Sequence, residues 1–230
     1  MTLPPLSVVI AARDEAPRLP ALLAQLAAAP ELVAEVLVVD GGSRDGTPQV
    51  ARLAGARVLH AGTGRGRQFA LGAAEARAPW LLLLHADVRL PAGWEGRLNR
   101  TLERPMAGRR AWYFQLAIAA PDPTLRLLEL LVRLRSRWRQ LPYGDQGLLL
   151  RQELYRAVGG MRPLPLMEDL DLVQRLRRRA RLSSLGAALE VDGRRWRQLG
   201  LWRTTWINLQ LRRDWRRGVP AAELARRYYI

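Results

Sequence analysis

The stretch WLLLLHADVRLP, residues 80–91, decides the fold, because four consecutive leucines run directly into His85 and Asp87. A continuous apolar run of this kind predicts a strand that is buried on both faces, as in a parallel sheet covered by helices. Three similar runs precede it, separated by alanine-rich helical patterns: LSVVIAA at 6–12, EVLVVD at 35–40 and ARVLHA at 56–61. We therefore predict an α/β fold with a doubly wound, mostly parallel mixed sheet flanked by helices.

Composition excludes several kinds of site. The 230 residues contain no cysteine, so a disulfide framework, a thiolate zinc site and a cysteine nucleophile are all ruled out. The formal net charge is +16, carried entirely by arginine, and it will attract phosphates, anionic lipid headgroups or nucleic acid. No segment reaches the roughly 18 uninterrupted apolar residues of a spanning helix, and no signal peptide is recognisable. We expect a cytoplasmic protein, with peripheral contact to the inner membrane face left open.

Acidic residues follow three of the predicted strands. Asp14 and Glu15 come after the first, Asp40 closes the second, and Asp87 follows the fourth together with His85. Ligands of an open α/β sheet bind outside the carboxyl ends of its parallel strands, so these side chains are predicted to converge on one site. The alternative is that these positions are polar only because they lie in loops.

Two glycine-rich connections refine this prediction. GGSRDGTPQV follows Asp40, with Thr47 as a predicted N-cap and Pro48 at the first helical position. It lacks the Gly-Lys-Ser/Thr of a Walker loop. The later GTGRGRQ is not a dinucleotide fingerprint, because Arg67 stands where the third glycine belongs. An arginine there is better suited to a nucleobase or a phosphate.

Together these segments resemble glycosyltransferase family 2, whose fold is of the GT-A type. The resemblance is carried, in order and spacing, by VVIAARDEAPRLPALLAQL, EVLVVDGGSRDGT, GRGRQFALGAAEA and LLLLHADVRLP. It continues through PYGDQGLLLRQELYRAVGGMRPLPLMEDLDLVQRLRRR, which is similar to a small subgroup labelled arsenosugar-biosynthesis-type glycosyltransferases. The resemblance implies an inverting transfer of sugar from a nucleotide-diphospho-sugar, most commonly UDP-linked, to a hydroxyl of an unidentified acceptor.

The resemblance also implies roles for individual residues. The positions that match nucleotide contacts are Asp14, Glu15, Asp40, Arg67 and His85. His85, Ala86 and Asp87 occupy the Asp-x-Asp motif, so Asp87 is expected to bind a divalent cation, Mn²⁺ or Mg²⁺, while His85 departs from the pattern and weakens the local negative charge. Asp169 matches the catalytic base, although the acids Glu168 and Asp171 beside it suit a helix N-terminus equally well.

Further residues, among them Glu168, are assigned to the acceptor or the diphosphate. Asp145 and Gln146 in YGDQG either line the acceptor site or form a turn. Arg195 and Trp196 in GRRWRQLG are expected to close over the diphosphate. We expect residues 1–195 to form the catalytic domain, with 1–108 as its nucleotide-sugar half and 109–195 as its acceptor half. Residues 196–230 are expected to form a basic, tryptophan-rich helical extension.

The extension leaves the acceptor open. Trp202, Trp206 and Leu209 have helical spacing and precede arginines, a combination that suits a membrane surface and a lipid-linked acceptor. Packing of this helix onto the catalytic domain is the alternative. The alternative functions are a nucleotidyltransferase on the same architecture and an inactive basic module that binds membrane or nucleic acid. No specific nucleic-acid partner is expected, since that function leaves the acids at the strand ends unexplained.

Overall fold

The computed structural model describes residues 5–120 and 122–228, except for the side chains of residues 195, 199 and 201. The strands are β1 Leu6–Ala12, β2 Val33–Asp40, β3 Arg57–His60, β4 Trp80–His85, β5 Val88–Arg89, β6 Arg110–Ala119, β7 Leu148–Arg151 and β8 Arg181–Asp192. The helices are α1 Leu19–Ala27, α2 Thr47–Leu53, α3 Arg65–Glu75, α4 Trp94–Leu102, α5 Thr124–Arg139, α6 Gln152–Ala157, α7 Glu168–Arg177, α8 Arg194–Leu199, α9 Leu201–Arg216 and α10 Ala221–Tyr228. Short 3₁₀ turns lie at Ala107–Arg109 and Gly144–Gln146.

The strands form one mixed sheet in the order β3-β2-β1-β4-β7-β6-β8-β5. The pairs among β1, β2, β3 and β4 are parallel, and so is β6 with β8, whereas β7 and β5 pair antiparallel with their neighbours. The prediction of an α/β fold with a mostly parallel mixed sheet is confirmed. The long strand β8, which the sequence reading did not identify, lies inside the sheet rather than at its edge.

Helices cover both faces of the sheet, which explains the continuous apolar strands. On β1, Leu6, Val8, Ile10 and Ala12 face a core completed by α1, α2, α4 and α5, while Val9 and Ala11 face a second core completed by α3, α6 and α7. Burying each leucine or valine contributes roughly 1.5–3 kcal/mol. Helix α3 packs closely on strand β1 at Gly72, where a Cβ would lie 2.3 Å from Cγ1 of Val9. A side chain there would push α3 off the sheet.

Register brings the carboxyl ends of the strands together. Ala12 of β1 pairs with Asp40 on one side, and Ala11 pairs with His85 on the other. At the far side of the sheet, the backbone N–H of Asp192 donates to the carbonyl of Asp87 at 3.1 Å. The parallel pairs of β1 and the antiparallel pair of β5 with β8 together bring chain segments that are 152 positions apart in sequence, from Asp40 to Asp192, to one edge of the sheet.

The last two helices pack on the segment that precedes α7. Leu211 of α9 and Leu224 and Ala225 of α10 form a small core with Leu166. No helix in the described part of the chain is long and apolar enough to cross a membrane.

Candidate functional site

A cavity of about 620 Å³ opens at the carboxyl edge of the sheet. Its walls come from the ends of β1, β4 and β8, from the start of α3 and α7, and from α9 and α10. The polar side chains that line it are Arg13, Glu15, Thr63, Arg65, Gln68, His85, Asp87, Tyr143, Asp145, Glu168, Asp169, Asp192, Arg194, Asn208, Arg212 and Tyr228. Seven residues selected from the sequence are among the lining: Glu15, His85, Asp87, Asp145, Glu168, Asp169 and Trp196.

Asp40 is the last residue of β2 and is not among the residues that line the cavity. Its carboxylate accepts from the backbone N–H of Gly42 at 3.1 Å and of Ser43 at 3.2 Å, and Nδ1 of His60 lies 3.4 Å away. Burial alone would raise the pKa of Asp40, but the hydrogen bonds from Ser43, Gly42 and His60 outweigh it and lower the pKa. The carboxylate is thus held ionised by donors that organise its own loop.

Thr47 has a different role from the predicted N-cap. The N-cap of α2 is Gly46, and Thr47 is the first helical residue. The Thr47 hydroxyl accepts from the backbone N–H of Glu15 at 2.8 Å and donates to the carboxylate of Asp45. Thr47 therefore ties the loop after β1 to the start of α2, which fixes Glu15 at the cavity.

Asp14 and Arg67 do not line the cavity. Asp14 is exposed with a φ of 55°, and its carboxylate accepts from the backbone N–H of Arg44 at 2.7 Å, so in this structure it stabilises the loop. Arg67 is exposed on α3, whereas Arg65, one half-turn earlier, lines the cavity. The same basic segment thus contributes a different arginine from the one that the sequence pattern selected.

Asp87 and Glu15 share one arginine, Arg194, at the start of α8. Nη2 of Arg194 donates to Oδ2 of Asp87 at 3.2 Å, and Nη1 donates to Oε2 of Glu15 at 3.2 Å. Asp192 pairs in turn with Arg18 at 2.6 Å and with Arg197 at 2.7 Å. We call these three acids, Glu15, Asp87 and Asp192, the ion-paired end of the cavity. Every carboxylate there has a guanidinium partner.

The ion-paired end fits a divalent cation that is shared with a ligand. Asp87 already binds a cation, the guanidinium of Arg194, and its carboxylate lines the cavity. Burial and the nearby Arg65 cation lower the pKa of His85 to about 3, so its imidazole is neutral and adds no positive charge to the cavity. Among the described residues, no group of three or more histidine or acidic side chains could enclose a metal. The donor set is therefore one carboxylate, to be completed by phosphate oxygens and water.

A second group of acids, Asp145, Glu168 and Asp169, forms what we call the desolvated end of the cavity. Burial, followed by the charge of Asp169, raises the pKa of Glu168 to about 7. Burial also raises the pKa of Asp145, and its Oδ1 atom has no hydrogen-bond partner within the described residues. Asp169 accepts from the backbone N–H of Gly144 at 2.7 Å, which orients its carboxylate. Burial therefore dominates at Asp145 and Glu168, although the positive charge of Arg65 opposes the rise in pKa at both residues.

Gly144 lies between His85 and Asp169. A Cβ at this position would be 3.0 Å from Nε2 of His85 and 3.3 Å from Oδ2 of Asp169. The absence of a side chain lets the 3₁₀ turn bring its backbone N–H to Asp169 while β4 ends against the same turn. The two ends of the cavity therefore meet at Gly144.

Gln146 has a structural position rather than a place in the cavity wall. It is fully buried, its Oε1 atom accepts from Ser136 at 3.0 Å, and its Nε2 atom donates to the carbonyl of Phe114 at 3.0 Å. Gln146 thereby anchors the turn that carries Asp145. The side chain of Arg195 lies outside the described residues, so its predicted contact with the diphosphate stays a prediction.

The C-terminal helices complete the cavity, a contribution that the sequence reading left open. Asn208 and Arg212 of α9 and Tyr228 of α10 line it. Arg212 and Arg135 both stack on the ring of Tyr143, with guanidinium carbons 5.3 Å and 3.6 Å from the ring centroid. Arg194 was also missed, and its sequence signal was its position shortly after the strand that ends at Asp192. The other polar lining residues that were not selected from the sequence are Arg13, Thr63, Gln68 and Asp192.

Residues 7–143 match the model of the family described as Glycosyl transferase family 2. A TPR repeat-containing protein of Synechococcus elongatus is 38% identical over 103 residues, which cover 44% of this chain and 25% of that protein. The chain therefore spans a quarter of the length of this curated relative.

Solved structures with the same fold include two neighbours of low sequence identity. Glucosyl-3-phosphoglycerate synthase from Mycobacterium tuberculosis, in complex with Mn²⁺, UDP and glucosyl-3-phosphoglycerate, is 19% identical with a TM-score of 0.59 and covers 81% of this chain and 70% of that chain. Residues 1–349 of TarS from S. aureus are 16% identical with a TM-score of 0.62 and cover 82% of this chain and 60% of that chain. At these identities the similarity concerns the fold.

Proposed function

This chain belongs to glycosyl transferase family 2, and from that premise we propose that it transfers a sugar from a nucleotide-diphospho-sugar to an acceptor hydroxyl with inversion at the anomeric carbon. The single observation that carries the proposal is the cavity at the carboxyl edge of the sheet, with ion-paired acids at one end and desolvated acids at the other. The finer subgroup, arsenosugar-biosynthesis-type, remains a prediction carried by the segment from residue 142 onward.

The donor is proposed to bind at the β1, β2 and β4 ends, with a uracil base near Asp40. The described synthase holds UDP, which supports the choice of nucleotide. Glu15 would contact the nucleoside, since it is buried and fixed through Thr47. Arg65 is proposed in place of Arg67 as the basic residue beside the donor, because Arg65 lines the cavity.

Asp87 is proposed to hold the divalent cation, Mn²⁺ or Mg²⁺, together with the donor diphosphate. The same synthase has been solved with each of these ions and UDP, which supports the choice. When bound, the cation neutralises charge that develops on the departing diphosphate. Arg194 then supplies a second positive group at the same place, because it reaches both Glu15 and Asp87.

Asp169 is proposed as the general base. In an inverting displacement the acceptor oxygen forms a bond to the anomeric carbon, the bond to the diphosphate oxygen breaks, and the hydroxyl proton passes to a carboxylate on the acceptor side. The N–H of Gly144 holds Asp169 in one orientation. Glu168, with a pKa raised to about 7, is mostly protonated below this pH and then places no second full negative charge beside Asp169.

The division of the chain follows from these assignments. We propose that residues 1–108 bind the donor, that 109–195 form the acceptor half, and that 196–230 close the acceptor side through α9 and α10. Tyr143, Asn208 and Arg212 support this assignment, because they line the same cavity as Asp145 and Asp169. Asp145 and Trp196 would contact the acceptor or the diphosphate. A lipid-linked acceptor is proposed because α9, which lines the cavity, also exposes Trp202 and Trp206 to solvent.

Calorimetric titration tests the proposed function. The purified chain would be titrated with UDP, GDP and ADP, each with Mn²⁺ and again with EDTA. We expect UDP to bind in the presence of metal and to bind much more weakly with EDTA. A Glu31→Gln variant, changed at an exposed position before β2 on the opposite edge of the sheet, serves as the matched control. Absence of binding by all three nucleotides would overturn the proposal.

A further inference from the structure

Large apolar side chains are exposed on two helices far more than elsewhere. Nine large hydrophobic residues are exposed in the described part of the chain, and seven of them lie on α5 and α9. These seven are Leu127, Leu130, Leu131 and Trp138 on α5, and Trp202, Trp206 and Leu209 on α9. Trp138 is 74% exposed and Trp202 is 80% exposed. Concentrated exposure of this kind marks an interaction surface.

On α5 the exposed residues form a single stripe. At 3.6 residues per turn, Leu127, Leu130, Leu131 and Trp138 fall within about 100° of the helix circumference, with half-buried Leu134 between them. The opposite face carries Leu125, Val132 and Ser136, which are buried against the sheet. Packing of α5 onto the protein is therefore already satisfied, and the stripe is a second apolar face.

The stripe of α9 has the same relation to its buried side. Trp202, Trp206 and Leu209 project to solvent, while Thr204 and Leu211 on the other side are buried. The two helices approach each other at Tyr143, where Arg135 of α5 and Arg212 of α9 both stack on one ring. We call the two stripes together the arginine-flanked apolar surface.

Arginines border both stripes. On α5, Arg126, Arg133 and Arg137 follow one border and Arg135 and Arg139 the other, as the helical spacing requires. Within the described residues, Arg133, Arg137 and Arg139 form no ion pair, and the same holds for Arg203, Arg213 and Arg216 of α9. The acids of these two helices, Glu129 and Asp214, are each paired with an arginine. The surface is thus apolar in its middle and uncompensated positive at its borders.

We propose that the arginine-flanked apolar surface docks on an anionic lipid bilayer. Apolar side chains with tryptophan enter the boundary between headgroups and acyl chains, while arginines bind the anionic headgroups around them. A second copy of the chain fits this surface less well, because a two-fold interface would set the same unpaired arginines against each other. Docking would bring the Tyr143 side of the cavity close to the bilayer, which agrees with a lipid-linked acceptor; that last step alone rests on the proposed function.

Vesicle sedimentation tests the docking. The full chain would be mixed with vesicles of phosphatidylcholine alone and with vesicles of phosphatidylcholine and phosphatidylglycerol. We expect binding to the anionic vesicles and little binding to the neutral ones, with an affinity that falls as salt rises. Each of Arg133→Gln and Arg137→Gln should weaken binding by about fivefold, the effect of one arginine near a charged membrane.

Matched variants separate the surface from general stickiness. The pair Leu131→Ser with Trp138→Ser should weaken vesicle binding by about tenfold or more, because it removes apolar area that enters the bilayer. Leu53→Ser changes a leucine that is 89% exposed on α2, and Arg77→Gln changes an exposed arginine at the opposite edge of the sheet; neither should alter binding. UDP titration of every variant reports separately on the donor site.

Three results would overturn the proposal. The first is that the wild-type chain fails to bind anionic vesicles at low salt. The second is that the Leu131 and Trp138 variant binds as tightly as the wild type. The third is that sedimentation velocity without lipid shows a dimer which the same variant dissociates, because the surface would then belong to a second copy. If the wild-type chain bound none of the nucleotides, this result would count against the proposed function. It would not affect the conclusion about docking on vesicles.

Discussion

The two ends of the cavity contain the same kind of residue and treat it in opposite ways. At the ion-paired end, Glu15, Asp87 and Asp192 each contact a guanidinium, and hydrogen bonds and Arg18 lower the pKa of Asp192 in spite of its burial. At the desolvated end, burial raises the pKa of Asp145 and of Glu168. Residue type alone therefore does not decide the protonation state of an acid at this cavity. Its burial and the charged or hydrogen-bonding groups in contact with it decide that state.

This difference separates two tasks. A carboxylate that is held ionised by cations can organise a charged ligand or exchange one cation for another. A desolvated carboxyl group with a pKa near neutrality can hold or release a proton under working conditions. Substitutions at each end test whether the ion-paired acids bind a charged ligand and whether the desolvated acids hold or release a proton.

The largest expected effect is at the desolvated end. Asp169→Asn should lower the rate of sugar transfer, or of donor hydrolysis without an acceptor, by about a thousandfold, because the proton acceptor is lost. Donor affinity should stay within about twofold, since the amide keeps the shape of the side chain. Release of the nucleoside diphosphate measures the rate, with Glu31→Gln as control. An active variant would transfer the role of base to Glu168 or Asp145.

The next effect is at the ion-paired end. Asp87→Ala should weaken donor binding in Mn²⁺ by about a hundredfold, to the level seen with EDTA, because a charged ligand is removed. Calorimetry with UDP measures it, and the same Glu31→Gln control applies. An unchanged affinity for UDP would show that Asp87 does not hold the metal. The proposed difference in function between the two ends of the cavity would then be wrong.

Glu168→Gln tests the pKa of the desolvated end through stability. The carboxyl pKa is raised from 4.5 to about 7 on folding, so the folded state binds more protons than the unfolded chain between these pH values. Wild-type stability should therefore fall as pH rises through this window, by up to about 3 kcal/mol. The amide variant should lack this fall.

Urea denaturation at a series of pH values measures the difference. Below about pH 4.5 the free energies of unfolding of the two proteins should change with pH in the same way. Above this pH the wild-type value should fall relative to that of the Glu168→Gln variant. Glu103→Gln, an exposed acid at the end of α4, is the control that should follow the wild type. Parallel curves for wild type and Glu168→Gln would mean that the glutamate is solvated like an ordinary surface acid.

The smallest effect is expected at Asp40, whose carboxylate accepts hydrogen bonds from the backbone of Gly42 and Ser43. Its pKa is lowered on folding, so its contribution is present at neutral pH and is lost as pH falls below the unfolded value of 3.8. Asp40→Asn should lower the free energy of unfolding by about 1 kcal/mol at neutral pH and by less in acid. Urea denaturation at both pH values measures it, and an equal loss at both would mean that packing, not charge, is responsible.

Much of the fold could be read from local patterns. The apolar runs at β1, β2 and β4 predicted buried strands, because a strand covered on both faces has no polar side. The same prediction was wrong for β3, which lies at the edge of the sheet and has no fully buried residue. The acids after these strands predicted the edge at which a site forms. Strand β8 could not be found in the same way, because its residues are partly buried in an irregular pattern along the strand.

Selection among neighbouring residues of the site was beyond the sequence. The segment that contains Arg65 and Arg67 offers two basic side chains, and only the direction of the helix decides that Arg65 lines the cavity. Likewise Asp14 and Glu15 are adjacent in sequence, yet one holds a loop and the other enters the cavity. Such choices depend on rotation about a helix or turn axis, which composition does not record.

By itself, the sequence determined the layered α/β architecture, the edge of the sheet where ligands bind and the family, because these follow from apolar periodicity and from short motifs in order. Only the tertiary structure decided which acids are paired and which are desolvated, and which apolar side chains of α5 and α9 remain exposed. The reason is that solvation and pairing depend on neighbours brought from distant parts of the chain, such as Asp87 and Arg194, which meet across the completed sheet.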